Sequence, residues 1–149
     1  MTQQTLRAFP ERLANTVRGL RDVTTPEAEG KWSVTDVVAH LADLELVYAV
    51  RIRDILAGSG ERALQPLAQD AWIERVHRRE PVEELLDQFA FLRRMNLALA
   101  ERLDAAERAR SGTHPQYGTL SVAGAFERLV RHDEKHHAQI ERISKAVGG

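Results

Sequence analysis

Six histidines carry most of the chemistry open to this sequence: His40, His77, His114, His132, His136 and His137. Neutral imidazole binds divalent transition metals, and two imidazoles four residues apart on one helical face can share an ion. His132 and His136 have that spacing. On a wheel of about 100° per residue, Val122, Ala125, Leu129, Ile140 and Ile143 define a buried arc. Both histidines fall inside it, about 40° apart, and His137 falls towards its edge. The competing reading is a pair of core histidines satisfied by other polar groups, because an i,i+4 pair alone is a weak motif.

A third imidazole strengthens the metal reading. His40 lies on a second helix, beside the apolar face of Val37, Leu41, Leu44, Tyr48 and Ile55. It sits about 10 Å from the start of its helix, and His136 about 16 Å from the end of the last one, at 1.5 Å per residue. If these helices run antiparallel, His40 reaches the height of the pair; a parallel arrangement misses by roughly 10 Å.

The elements that position these groups read as helices almost throughout, with no alternating strand pattern. The first spans about 5–22, with Leu6, Phe9, Leu13, Val17 and Leu20 on one face and Pro10 marking its first turn. The second spans about 34–57. Ser33 is its N-cap, Asp36 completes a capping-box variant, Trp32 packs on Val37 as a staple, and Gly58-Ser59-Gly60 stops it. The third begins with Pro81 at N1 and runs to about 107, with a seam of Val82, Leu85, Phe89, Leu92, Asn96, Leu99, Leu103 and Ala106. The fourth follows Gly118-Thr119-Leu120, takes Ser121 as N-cap and ends near Gly148-Gly149. Residues 58–80, with a short helix around Trp72, are long for an antiparallel hairpin. A crossover follows, with helices two and three parallel and helices two and four antiparallel.

Composition bounds the rest. The 149 residues suit one domain, 1–149; 43% are hydrophobic and 29% charged, and the net charge is -1. That balance gives no electrostatic reason to expect a nucleic acid or an anionic membrane as partner. Cysteine is absent, which excludes disulfides, thiolate ligands and a cysteine nucleophile. No stretch reads as a signal peptide or a membrane span, so a reducing cytoplasm is the expected location.

Two segments, KWSVTDVVAHLAD at 31–43 and HPQYGTLSVAGAFERLVRHDEKHHAQI at 114–140, resemble the DinB/YfiT-like superfamily of metalloenzymes. The tryptophan-serine start, the histidine-leucine-x-aspartate step and the HD-x-x-H-x-x-Q-I ending carry the likeness, with a weaker F-x-x-x-R step at Phe89 to Arg93. The resemblance implies an all-α four-helix bundle of up-down-down-up order, a three-histidine site for nickel or zinc, and a homodimer. Carried over, the ligands are His40, His132 and His136. His137 falls where the family varies and is left out.

Three neutral imidazoles leave a metal with an open position, as in catalytic sites. Water there loses a proton more readily, or a substrate thiol or carbonyl takes its place. Some members of the superfamily resemble thiol-dependent S-transferases and isomerases, so the resemblance implies a low-molecular-weight thiol as co-substrate beside a small-molecule substrate. The favoured reading is a metal-dependent enzyme, a thiol-linked transferase or a small hydrolase; the runner-up is a non-catalytic metal or small-molecule binding bundle, and a DNA-binding role fits the charge balance poorly. Asp43, Asp133 and Gln139 are candidates to orient the ligands, with ordinary surface or ion-pair roles as the alternative for the two aspartates. Arg93 pairs with a buried carboxylate or faces water. Asn96 is a pocket residue or a buried group that sets helix register. Tyr48 and Trp72 read as core or pocket wall, His77 as part of a solvated arginine-rich face, and His114 as a loop residue.

Overall fold

The computed structural model describes residues 1–58 and 63–148. The Ser59-Gly60 part of the expected stop after the second helix, and Gly149, fall outside them. The chain forms a four-helix bundle of α1 (Thr2–Arg18), α2 (Val34–Ala57), α4 (Val82–Arg102) and α6 (Val122–Ala146). Between these lie the short helices α3 (Gln69–Arg75) and α5 (Ala105–Ala109) and a hairpin of β1 (Ser111–His114) and β2 (Gly118–Ser121).

Ion pairs and core contacts fix the helix directions. Arg7 pairs with Glu101 and Arg18 with Glu83, so α1 and α4 run oppositely. Arg12 meets Glu134 and Thr16 meets His137, so α1 and α6 run together. One end of the core joins Val34, Val37 and Val38 of α2 to Leu85 and Phe89 of α4 and to Ile140 and Ile143 of α6. The other joins Ile52 and Ile55 to Leu97, Ala100, Val122 and Leu129. Thus α1 and α6 run one way, and α2 and α4 the other.

Local chemistry explains the boundaries. Ser33 Oγ accepts from the Asp36 N–H, and Asp36 accepts from the Ser33 N–H at 2.8 Å, closing the capping box that starts α2. Pro10 lies inside α1, not in its first turn. Proline has no N–H, so the carbonyl of Leu6 loses its helical donor. Arg93 replaces it, donating from Nη1 to Leu6 O at 3.0 Å.

Three expectations need correction. The first helix ends at Arg18, short of residue 22. The third begins at Val82, with Pro81 as its cap, and stops at Arg102 because Asp104 and Glu107 form a new capping box that starts α5. Its buried stripe runs through Arg93, Leu97 and Ala100, not Leu92, Leu99 and Leu103, because the core takes in the Arg93 guanidinium. Finally, residues 111–121 form a β-hairpin, where a loop and no strand was expected. Gly112 faces Leu120 and His114 faces Gly118. Gly118 has φ 71°, a conformation costly to any residue with a Cβ, and this closes the turn. Four-residue strands offer too few alternations for a period-two pattern to show.

Candidate metal centre

His40 projects from the second turn of α2, and His132 and His136 from successive turns of α6. Their Nε2 atoms meet: His40 to His132 at 3.1 Å, and His136 to His132 at 3.0 Å. One ligand atom from each lies within 4.8 Å of the others. Trp32, next to the N-cap of α2, closes one side, its ring 5.0 Å from that of His40 and 6.5 Å from that of His136.

Electrostatics keep all three rings neutral. Burial, then repulsion from its neighbours, pushes the pKa of His132 down to about 2 and that of His40 to about 3. Burial also lowers that of His136. In addition, Gln139 Oε1 lies 2.7 Å from His136 Nδ1. A carbonyl oxygen can only accept, so the His136 proton sits on Nδ1 and the Nε2 lone pair is free.

The donor set fits a divalent ion. At metal–nitrogen bonds of about 2.0–2.1 Å, adjacent nitrogens stand roughly 2.9 Å apart in octahedral and 3.4 Å in tetrahedral geometry. The observed 3.0 and 3.1 Å fall between. The His136 Nε2 lone pair faces His132 Nε2, and with His40 and His132 in the same tautomer all three lone pairs converge where a shared ion would bind them. The Nδ1 atoms of His40 and His132 are buried without a protein partner among the described residues.

A cavity of about 300 Å³ opens beside His40 and His132. Its walls include Leu44, Tyr48, Tyr117 and the cations Arg51, Arg128, Arg131 and Lys135, with no carboxylate among the described lining residues.

The other sequence candidates sort clearly. Gln139 touches a site histidine; Asp43 and Asp133 do not. Asp43 Oδ1 instead meets His77 Nε2 at 2.7 Å, and Glu80 meets His77 Nδ1 at 2.7 Å. His77 is therefore enclosed between carboxylates, contrary to the solvated face expected of it. Asp133 accepts two hydrogen bonds from Arg93, and Glu45 takes a third. Asn96 joins that network through Glu45 Oε2, so it is a buried structural group and not a pocket residue. His137 bonds Thr16 away from the cluster. His114 is a strand residue 2% exposed, stacked on Tyr117 with ring centroids 3.6 Å apart.

Sequence reasoning missed the cationic wall. Its signal was present: Arg128 lies one helical turn before His132, and Arg51 three turns after His40, so each shares its histidine's face. Trp32 was read as a staple and as part of the tryptophan-serine start, not as a wall of the site, because helix periodicity says nothing of residues outside the helix.

The site is thus a three-histidine cluster able to hold a metal ion, set inside a four-helix bundle. The family model described as the DinB superfamily matches residues 1–140, and the chain belongs to that superfamily. It is similar to a "putative metal-dependent hydrolase" of Oceanobacillus iheyensis, 28% identical over 91% of this chain and 79% of the relative. Another of that description, from Bacillus mycoides, is 24% identical over 97% and 84%. The solved structure of YfiT from Bacillus subtilis, described as "a probable metal-dependent hydrolase with an unusual four-helix bundle topology", superposes with a TM-score of 0.88. It is 26% identical, covering 99% of this chain and 86% of YfiT.

Proposed function

We propose that this chain is a metal-dependent enzyme in which His40, His132 and His136 hold one divalent ion, zinc or nickel, at the wall of a small-molecule pocket. One observation carries the reading: three neutral imidazoles present their Nε2 atoms to a common point beside an open cavity. When bound, the ion would supply Lewis acidity and lower the pKa of a coordinated water or thiol. The chain's own residues set the conditions. Burial keeps the ligands unprotonated, Gln139 holds His136 in its metal-binding tautomer, and Trp32 shields the cluster from one side.

Hydrolysis is the reaction class that the names of the relatives suggest. Thiol transfer, with a low-molecular-weight thiol as co-substrate, is the second reading, and the cavity wall favours it. Zinc metalloproteases pair the metal with a carboxylate base; the described lining residues include none and carry four cations. Such a wall suits a nucleophile that arrives as an anion, and a thiol ionises far more readily than water. Homodimer formation and a cytoplasmic location belong to the same proposal, and light scattering reads the first.

The test is metal analysis of untagged protein, followed by ester-hydrolysis and thiol-transfer assays before and after chelation. Turnover that requires one ion per chain and disappears in His132→Ala supports the enzyme. Stoichiometric metal without turnover in either assay returns the chain to a binding role, and turnover by metal-free protein refutes the proposal.

A further inference from the structure

Among the described residues two arginines are deeply buried, and they are treated in opposite ways. Arg93, 1% exposed, is met by both Glu45 and Asp133. Arg51, 6% exposed, has no carboxylate partner among the described residues. Its Nη1 donates to Tyr117 Oη at 3.0 Å and its Nη2 to the carbonyl of Gln65 at 2.6 Å, while its Nε is buried with no acceptor. A buried cation without a counter-charge is disfavoured unless something else neutralises it. Arg93 is a structural group completed by the fold. Arg51 is left incomplete, and it lines the cavity that contains His40 and His132.

Three further features converge on it. Arg128 lies over Tyr117, its Cζ 3.8 Å from the ring centroid, and its Nε is also buried without a partner among the described residues. Tyr117 stacks on His114, so one ring sandwich holds both guanidinium groups against the same wall. The His114 tautomer is also fixed. The Gln116 N–H donates to its Nδ1 at 3.1 Å, so the ring proton of neutral His114 sits on Nε2. Burial and the two arginines lower its pKa and keep it in that neutral form. Its Nε2–H then faces Arg51 Nη2 at 3.4 Å. Two donors confront each other with no acceptor between them.

We propose that Arg51, Arg128 and His114 form a subsite for an oxyanion, a carboxylate or phosphate group of the substrate, in the cavity beside the three histidines. A planar guanidinium receives such a group through paired N–H donors, and the wall offers no competing carboxylate. Along α2, His40 and Arg51 are eleven residues apart, about 16 Å of rise. On α6, Arg128 lies one turn, about 6 Å, before His132, so the subsite extends from Arg51 towards the metal position. A cavity of about 300 Å³ is at the small end of ligand pockets, so the substrate class is a small acidic metabolite: oxyanion in the arginine subsite, reacting group towards the histidines. This assignment rests on the enzymatic reading of the same cavity.

The test is calorimetric titration of the full-length protein at low ionic strength with inorganic phosphate and, separately, with succinate. Each is run on metal-loaded and on chelator-treated protein. The expected result is saturable binding of at least one probe in both metal states, weakened at least tenfold in Arg128→Gln and Arg51→Met. Arg12→Gln, which breaks an exposed pair with Glu134 and a contact over the Phe9 ring, both outside the cavity lining, should bind as the wild type does. Phosphate alone indicates a phosphorylated substrate, succinate alone a carboxylic acid. Arg51 also anchors Gln65, so should its variant fail to fold, Arg128→Gln decides. No binding of either probe, binding indifferent to Arg128→Gln, or binding abolished by chelation overturns the subsite. Arginine-dependent binding that persists in a protein with no metal-dependent turnover would instead overturn the enzymatic reading and leave the subsite standing.

Discussion

Replacing Gln139 with leucine tests how the site prepares its ligands. Gln139 Oε1 accepts from His136 Nδ1 at 2.7 Å, and no other protein group among the described residues holds a Nδ1 of the three histidines. Leucine is of similar size and removes only the acceptor. Losing one neutral hydrogen bond costs about 1 kcal/mol, roughly fivefold in metal affinity. The freed ring also divides between two tautomers; if about half places its proton on Nε2, apparent affinity falls by a further factor of about two. Together this is about tenfold, the lower edge of the range seen when such supporting groups are removed. Chelator competition with zinc at pH 7.5 measures it, and circular dichroism confirms the fold. Gln139→Glu should bind at least as tightly as the wild type, since a carboxylate accepts the same bond more strongly. Unchanged affinity in Gln139→Leu would refute the role of this bond.

Other perturbations follow from the same geometry. In metal-free protein, His40 and His132 have folded pKa values of about 3 and 2, below the ordinary 6.5. The unfolded chain therefore binds more protons between those values, and stability is lost as pH falls below 6.5. Each ring should cost about 1 kcal/mol between pH 6.5 and 5.5, with His136 adding in the same direction, which urea denaturation at the two pH values reads. His77 has the opposite sign. Burial opposes its charge, but hydrogen bonds to Glu80 and Asp43 outweigh this and raise its pKa. Its stabilising contribution is full below 6.5 and lost as pH rises through the raised value; NMR titration should place its midpoint above that of free histidine. Arg93→Met strands Glu45, Asp133 and the Leu6 carbonyl together, and should cost about 3–5 kcal/mol in thermal or urea unfolding.

Much of this was readable from residue spacing. Long helices repeat their apolar positions often enough for the period to show, and the capping box at Ser33 marked the start of α2 to the residue. The convergence of His40 with His132 and His136 followed from wheel angle and helix height. What escaped had identifiable causes. The break before α5 was carried by Asp104 and Glu107, a capping signal inside an apolar pattern that appeared to continue. The hairpin depended on four-residue strands and a positive-φ Gly118. The choice for Arg93 between a buried carboxylate and water stayed open, because its partner Glu45 comes from another helix and its need arises from Pro10, 83 residues away in the chain. Long-range pairings of this kind leave no local pattern.

The most direct measurement is X-ray absorption at the zinc edge on protein loaded with one equivalent of zinc, compared with His40→Ala. Three imidazole scatterers at about 2.0–2.1 Å are expected in the wild type and two in the variant, together with a light-atom ligand from solvent. A wild-type shell with fewer than three imidazoles, or one unchanged by loss of His40, would contradict a single ion shared between α2 and α6.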